Sequence, residues 1–245
     1  HTNKLRFKIP GDLKNILLNS KISNIKRIAK YIILDLDNNY TLVVHLGMSG
    51  RLKINKSCFN RVKHDHFIIY FSNKKVMVFN DQRKFGFIDI VKTNNLGQKK
   101  YISNLGIDAL SKKLNYKFFF NRISKSKVPI KQILLNQKVV AGIGNIYASE
   151  ILYDAKISPF TYGQDLKISH IMQLILSIRK ILRKAIKYGG SSIKDYRSAD
   201  GTLGNFQSNF KVYGKEGEKI GKDIVLKATQ YGRSTFYCPK IQNNK

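Results

Sequence analysis

The chain has 245 residues, 42% of them hydrophobic, which is enough apolar material for one large or two small folded domains and too much for a disordered polymer. Its 45 Lys and Arg against 15 Asp and Glu leave a formal charge of +30, an excess that repels itself unless it faces a polyanion, so nucleic acid is the leading partner; a generally lysine-rich background accounts for part of the count. No apolar run reaches the length of a membrane span, and the two cysteines, Cys58 and Cys238, lack the C-x-x-C spacing of a metal or redox pair.

In chain order, residues 11–17 pattern as a short amphipathic helix. Short alternating runs follow at Tyr31–Leu36, Tyr40–His45, Phe67–Phe71, Val76–Phe79 and Phe87–Val91. Turn residues at Asp37-Asn38-Asn39 and Ser72-Asn73 separate them, as in an antiparallel meander or sandwich. Beyond Asn104 the period becomes helical, with helices predicted over 110–124, 129–137, 145–154 and 169–188. The last places Ile171, Leu174, Ile175, Ile178, Leu182, Ala185 and Ile186 on one core stripe and leaves Arg179, Lys180, Arg183, Lys184 and Lys187 on a solvated face. Gly189-Gly190 stops it, a glycine-rich loop covers 191–204, and a hairpin-like stretch spans 211–237.

Several residues carry possible chemistry. Val139–Ala141 is an apolar run that breaks at Gly142 and Gly144 and restarts as a helix at Asn145. Such a corner offers unpaired N–H groups and the positive end of a helix dipole to a phosphate, although a purely structural helix corner can use the same residues. Lys30 extends the row of Ile32, Leu34 and Leu36, where desolvation would lower its pKa and suit it to proton transfer; the alternative is a lysine snorkelling off a strand end. Met48, Arg83 and Phe85 are an adaptable wedge, a planar cation and a flat ring, types suited to filling the gap left by a flipped base, while Met48 and Phe85 alone would also serve a core. His64 and His66 have strand spacing for two metal ligands, with no third ligand evident.

Together, His45-Leu46-Gly47-Met48-Ser49-Gly50, Asn80-Asp81-Gln82-Arg83-Lys84-Phe85-Gly86, the Asn145 corner, Asp195-Tyr196-Arg197-Ser198-Ala199-Asp200-Gly201, Val212-Tyr213-Gly214 and Gly232-Arg233-Ser234-Thr235-Phe236-Tyr237-Cys238-Pro239 resemble the bacterial formamidopyrimidine-DNA glycosylases in order and content. The resemblance implies an α+β fold: an N-terminal antiparallel β-sandwich (1–104), a helix-two-turn-helix domain (105–204) and a C-terminal β-hairpin finger (205–245), with damaged DNA in the cleft between the main parts. It implies base-excision repair: removal of oxidised purines from duplex DNA with abasic-site lyase activity, by a monomer in the bacterial cytoplasm, associated with the nucleoid. By the same resemblance Lys30 and Arg233 are catalytic, Arg233 assisting the second elimination. Met48, Arg83 and Phe85 intercalate; His64, Arg83 and Asn145 meet phosphate; Lys131 lies near the lesion. A further family cation falls on Ser126, flanked by Lys125 and Lys127, with Lys127 the DNA-binding candidate. The segment 191–204 matches the loop that covers the flipped base.

Two departures stand out. The family attacks the sugar C1′ with an N-terminal proline followed by a glutamate, whereas this sequence opens His1-Thr2-Asn3 and aligns after the family's first helix. The expectation is a sequence incomplete at that end and a polypeptide that, as it stands, is a poor glycosylase. The family's four zinc cysteines are reduced to Cys238, with Ile241 and the stretch Lys219–Asp223 at the other positions, so no zinc or other cofactor is expected. The alternatives are a non-catalytic protein that grips damaged DNA and, lower, a basic RNA-binding protein.

Overall fold

The computed structural model describes residues 5–56, 60–191 and 204–243. Cys58 and almost all of the predicted lesion-covering loop, 192–203, lie outside them. The described residues belong to two compact units, one drawn from His1–Ser103 and Tyr188–Gln207, the other from Asn104–Lys187 and Ser208–Lys245.

The first unit begins with a short helix, α1 (Leu13–Leu17), and continues as seven strands. These are β1 (Ile22–Ile28), β2 (Tyr31–Leu36), β3 (Tyr40–His45), β4 (Arg51–Lys56), β5 (Asp65–Tyr70), β6 (Lys75–Asn80) and β7 (Phe87–Lys92). They form two antiparallel sheets, β1-β2-β3-β7 and β4-β6-β5. Strand periodicity of two explains the layering. Leu34, Leu36, Leu42, Val44, Ile88 and Ile90 on one face of the larger sheet share a core with Phe67, Met77 and Phe79 of the smaller. The intervening Ile33, Val43 and Val91 face the other way and pack with Leu96, Tyr101 and Ile102, from the 3-10 turn Thr93–Gln98 and helix α2 (Lys100–Ser103). Both faces of β2, β3 and β7 are therefore covered, which is why their sequences read as nearly unbroken apolar runs.

The second unit holds α3 (Tyr116–Ile123), α4 (Ile130–Leu135), α5 (Asn145–Asp154) and α6 (Ile168–Lys187). A two-residue parallel pairing joins β8 (Ile107–Asp108) to β9 (Val140–Ala141). α5 packs against α4 and α6, and Phe119, Leu134, Ile151, Leu174 and Ile178 are fully buried. The unit ends in two hairpins, β10 (Lys219–Ile220) with β11 (Asp223–Ile224), and β12 (Leu226–Gln230) with β13 (Arg233–Tyr237). The helix predicted over 110–124 starts six residues later. Local bonds hold the segment before it in turns: Asp108 Oδ1 accepts the Leu110 N–H and the Asp108 carbonyl accepts the Ser111 N–H, until Asn115 caps α3 by accepting the Phe118 N–H at 3.0 Å. No described helix is long and apolar enough to cross a membrane.

Candidate nucleic-acid interface

In the sandwich unit two loops are fastened to each other, Leu46–Gly50 after β3 and Asp81–Gly86 after β6. The fastener is Asp81, a fully buried carboxylate. Its Oδ1 accepts the Ser49 hydroxyl at 2.5 Å and the Arg83 N–H at 3.3 Å, and its Oδ2 accepts the Gly86 N–H at 2.8 Å. Ser49 Oγ in turn accepts the Arg83 N–H at 3.1 Å, and the Asp81 carbonyl meets His66 Nε2 at 2.8 Å. The backbones touch at Gly47, where φ is 65° and an added Cβ would lie 2.5 Å from the Gly86 nitrogen, so only glycine fits there. From this base Met48 projects with 67% of its surface exposed, and Phe85 with 45%. The Arg83 guanidinium sits 5.1 Å from the centre of the Phe85 ring, a cation–π pair that fixes both. The three predicted wedge residues thus stand on two loops joined through Asp81 and Ser49.

His45, at the foot of the same loop, is a residue to which the sequence motif assigned no role. Its Nδ1 accepts the Gly47 N–H at 3.1 Å. Burial, then the charges of Lys30 and Arg6, push its pKa down to about 4. The ring is therefore neutral near pH 7, carries its proton on Nε2 and can keep accepting from the loop. His64 precedes β5 with φ 74°, in the left-handed region, and its carbonyl accepts the Asp81 N–H at 3.0 Å. It is outside the strand that was expected to align it with His66, whose ring is buried against the Asp81 carbonyl. Lys30 is exposed in the two-residue turn between β1 and β2, so the burial expected to desolvate its amine is not found; the chain turns back at Ala29, φ 52°, before the core-facing row begins.

The helical unit assembles a second cluster around β13. Lys131 of α4 is fully buried, and its ammonium donates to the Ser234 carbonyl at 2.8 Å and to Thr235 Oγ1 at 2.7 Å. Burial, followed by the neighbouring Arg233 charge, lowers its pKa to about 8, leaving it protonated at neutral pH. Asn145, the first residue of α5 after Gly144, donates from Nδ2 to the same Ser234 carbonyl at 3.0 Å. One backbone oxygen thus gathers the starts of α4 and α5 beside Arg233, whose own side chain is exposed. Lys127 is exposed in the turn before α4. An exposed cation and a helix N-terminus on a hydrogen-bonded frame form a surface suited to phosphate.

Comparison with known proteins gives this arrangement a family. Residues 1–88 match the model of the formamidopyrimidine-DNA glycosylase N-terminal domain, and residues 105–197 that of the formamidopyrimidine-DNA glycosylase H2TH domain. The formamidopyrimidine-DNA glycosylase of Zymomonas mobilis is 45% identical over 239 residues, covering 97% of this chain and 88% of that protein. The chain belongs to the formamidopyrimidine-DNA glycosylase family. The enzyme of the same name from Rickettsia africae is 41% identical over 98% of this chain and 88% of its own length. Among solved structures, the complex of Lactococcus lactis Fpg with DNA containing an abasic site matches with TM-score 0.88 and 36% identity over 95% of this chain and 86% of that one. A complex of the wild-type Lactococcus lactis protein with DNA containing an oxidised pyrimidine matches with TM-score 0.88 and 35% identity, over the same shares of both chains.

The hairpins at the end of the chain are organised around Cys238. Cys238 is fully buried, and burial followed by the nearby Asp223 and Glu150 charges pushes its thiol up to about 11, away from the thiolate that zinc requires. Asp223 occupies the stretch where the first cysteine pair was expected. Its Oδ2 accepts the N–H groups of Lys240 and Ile241 at 2.8 and 2.9 Å, and its Oδ1 accepts the Ile224 N–H at 2.8 Å. Gln242 closes the other side, accepting the Cys238 N–H at 2.7 Å and donating to the Ile157 carbonyl at 2.8 Å. Val212, Val225, Phe236 and Cys238 form an apolar core beneath. Among the described residues no three His, Cys, Asp or Glu side chains are grouped to hold a metal ion. A further anchor escaped sequence reasoning: Glu150 of α5, 1% exposed, accepts the N–H groups of Lys211, Val212 and Tyr213 at 2.8, 3.0 and 2.8 Å. A glutamate in the middle of an apolar helical run, with Ile151 and Leu152 after it, is the only sign of it in the sequence.

Proposed function

We propose that this protein recognises oxidised purines, 8-oxoguanine and formamidopyrimidines, in duplex DNA, as a base-excision glycosylase with abasic-site lyase chemistry. The observation that carries the reading is the Asp81-fastened pair of loops presenting Met48, Arg83 and Phe85. In this reading Met48 and Phe85 enter the stack vacated by the lesion nucleotide, and Arg83 meets the orphaned base opposite it, since an exposed thioether, ring and guanidinium held on a rigid base exchange solvent for stacking with little ordering cost. His64, Lys127 and Asn145 hold phosphates. The Lys131 ammonium, kept charged and directional by Ser234 and Thr235, stands near the damaged base. Lys30 serves proton transfer at the sugar from an exposed hairpin turn. Arg233 meets the phosphate that leaves in the second elimination. The finger, organised by Asp223, Gln242 and Glu150, carries Arg233 without zinc.

A damaged-DNA binder without chemistry is a second reading, favoured by one observation: Lys30 lies exposed in a hairpin turn, without the burial that would suit its amine to proton transfer. The two are separated with duplexes carrying 8-oxoguanine or an abasic site. Strand cleavage with a borohydride-trappable adduct supports the enzyme; tight, lesion-selective binding without an adduct supports the binder. Equal affinity for damaged and intact duplex would sink both.

A further inference from the structure

The tip of the last hairpin carries a residue that none of these roles uses. Tyr231 and Gly232 join β12 to β13 with φ values of 50° and 71°, both in the left-handed region. A two-residue turn of this kind suits the twist of the strands and selects Asn, Asp or Gly at its first position. A tyrosine there strains its own backbone, because a Cβ disfavours positive φ. Packing does not offset the strain: at 72% exposure Tyr231 is the most exposed of the large hydrophobic residues described.

The turn is nevertheless held firmly. Gln230, 7% exposed, donates to the Pro159 carbonyl at 3.2 Å and accepts the Thr235 hydroxyl at 2.9 Å. One strand over, Ser234 and Thr235 receive Lys131, and Ser234 also receives Asn145. The result is a rigid pedestal carrying an aromatic ring two positions from the exposed Arg233, in a chain of net charge +30. A flat ring beside a cation, preorganised and unsupported by its own protein, fits a strand of nucleic acid, whose sugars and unstacked bases offer apolar faces between phosphates.

We propose that Tyr231 is a DNA-contact residue, packing its ring on the lesion-bearing strand next to Arg233 and docking the hairpin there. This rests on the damaged-DNA reading above. The test uses the full chain and its Tyr231→Asn, Tyr231→Ala and Tyr231→Phe variants, with thermal unfolding alongside binding to a duplex containing a tetrahydrofuran abasic analogue and to its intact counterpart. Asparagine suits the turn, so Y231N should unfold at the same temperature as the wild type or higher, yet bind the abasic duplex about 10-fold more weakly, within the range that losing one aromatic stack produces. Y231A should lose a similar factor and Y231F should bind as the wild type. Wild-type affinity in Y231N and Y231A would overturn the proposal, as would a fall in unfolding temperature in Y231N that accounts for its weaker binding. If the wild type fails to prefer the abasic duplex, the damaged-DNA reading itself fails and this inference goes with it.

Discussion

Asp81 is the residue whose loss tests the site most directly, because it makes no contact with DNA in the proposed function and acts only by holding two loops together. Asp81→Ala removes three accepted hydrogen bonds, from Ser49, Arg83 and Gly86. The Ser49 hydroxyl can turn elsewhere and the Arg83 N–H keeps Ser49 Oγ, so the unrecovered part is mainly the Gly86 bond and the charge assistance on the other two. At roughly 1.5–3 kcal/mol for each bond to a charged acceptor, with partial recovery, D81A should cost about 3–5 kcal/mol. Asp81→Asn keeps the shape but must turn its amide toward a donor on one side. The tolerable orientation faces the Arg83 N–H and Ser49, whose hydroxyl can rotate to accept, for a cost of about 1–2 kcal/mol. Urea unfolding measures both figures, and affinity for an abasic-analogue duplex measures the consequence. D81N, still folded, should bind more weakly because Met48 and Phe85 no longer share one base. A D81A variant within about 0.5 kcal/mol of wild type, the range of an ordinary surface substitution, would refute the fastening argument.

Three other outcomes follow from the same geometry. The Lys131 amine releases its proton near pH 8 in the folded chain, against an ordinary lysine value of 10.5, so between these pH values the unfolded state holds the extra proton. Stability should therefore rise with pH across that window, by up to about 3 kcal/mol at about 1.4 kcal/mol per unit, and the rise should be absent from Lys131→Met in matched denaturation series. Glu150→Ala leaves three buried or half-buried N–H groups of the finger unanswered and should cost about 3–5 kcal/mol, with the segment after Ser208 becoming the first site of limited proteolysis. Asp223→Ala should lower the unfolding temperature, whereas a strong chelator should leave it unchanged and metal analysis should find no stoichiometric zinc; a chelator-sensitive transition would contradict the metal-free finger.

Regular periodicity made much of the fold legible. α5 begins at Asn145 and ends at Asp154 as predicted, because a glycine pair before it and an apolar repeat within it leave few alternatives. The central strands were equally plain, since burial on both faces fills them with Ile, Leu and Val. β1 and β4 were missed for the opposite reason: most of their residues lie at least partly open to solvent, so Ile-Ser-Asn-Ile-Lys-Arg-Ile has no alternation to read and Arg-Leu-Lys-Ile-Asn-Lys alternates through only two apolar residues, Leu52 and Ile54. Lys30 shows a different limit. Extending a strand's side-chain row by one step assumes the strand continues, and here the chain turns at Ala29 and Lys30 instead.

Most residues that were recognisable as DNA-binding types are exposed, Met48, Arg83, Phe85, Arg233 and Lys127 among them and the buried Lys131 the exception, whereas the carboxylates beneath them were not recognisable. Asp81, Glu150 and Asp223 each bind a row of backbone N–H groups from a segment far away or across a turn, and nothing in a local sequence window distinguishes such a carboxylate from a solvated one. With only 15 acidic residues among 245, however, an acid enclosed by a strongly basic chain has a reason to be there. Three of these few are buried fasteners that supply negative charge at fixed points beneath a positive surface. Each ties down a loop or hairpin that presents side chains outward, so the scarce carboxylates set the geometry and the abundant cations set the attraction. A charge-reversal scan should therefore divide cleanly. Replacing surface lysines should flatten the salt dependence of DNA binding while leaving stability intact, whereas neutralising these three carboxylates should do the reverse.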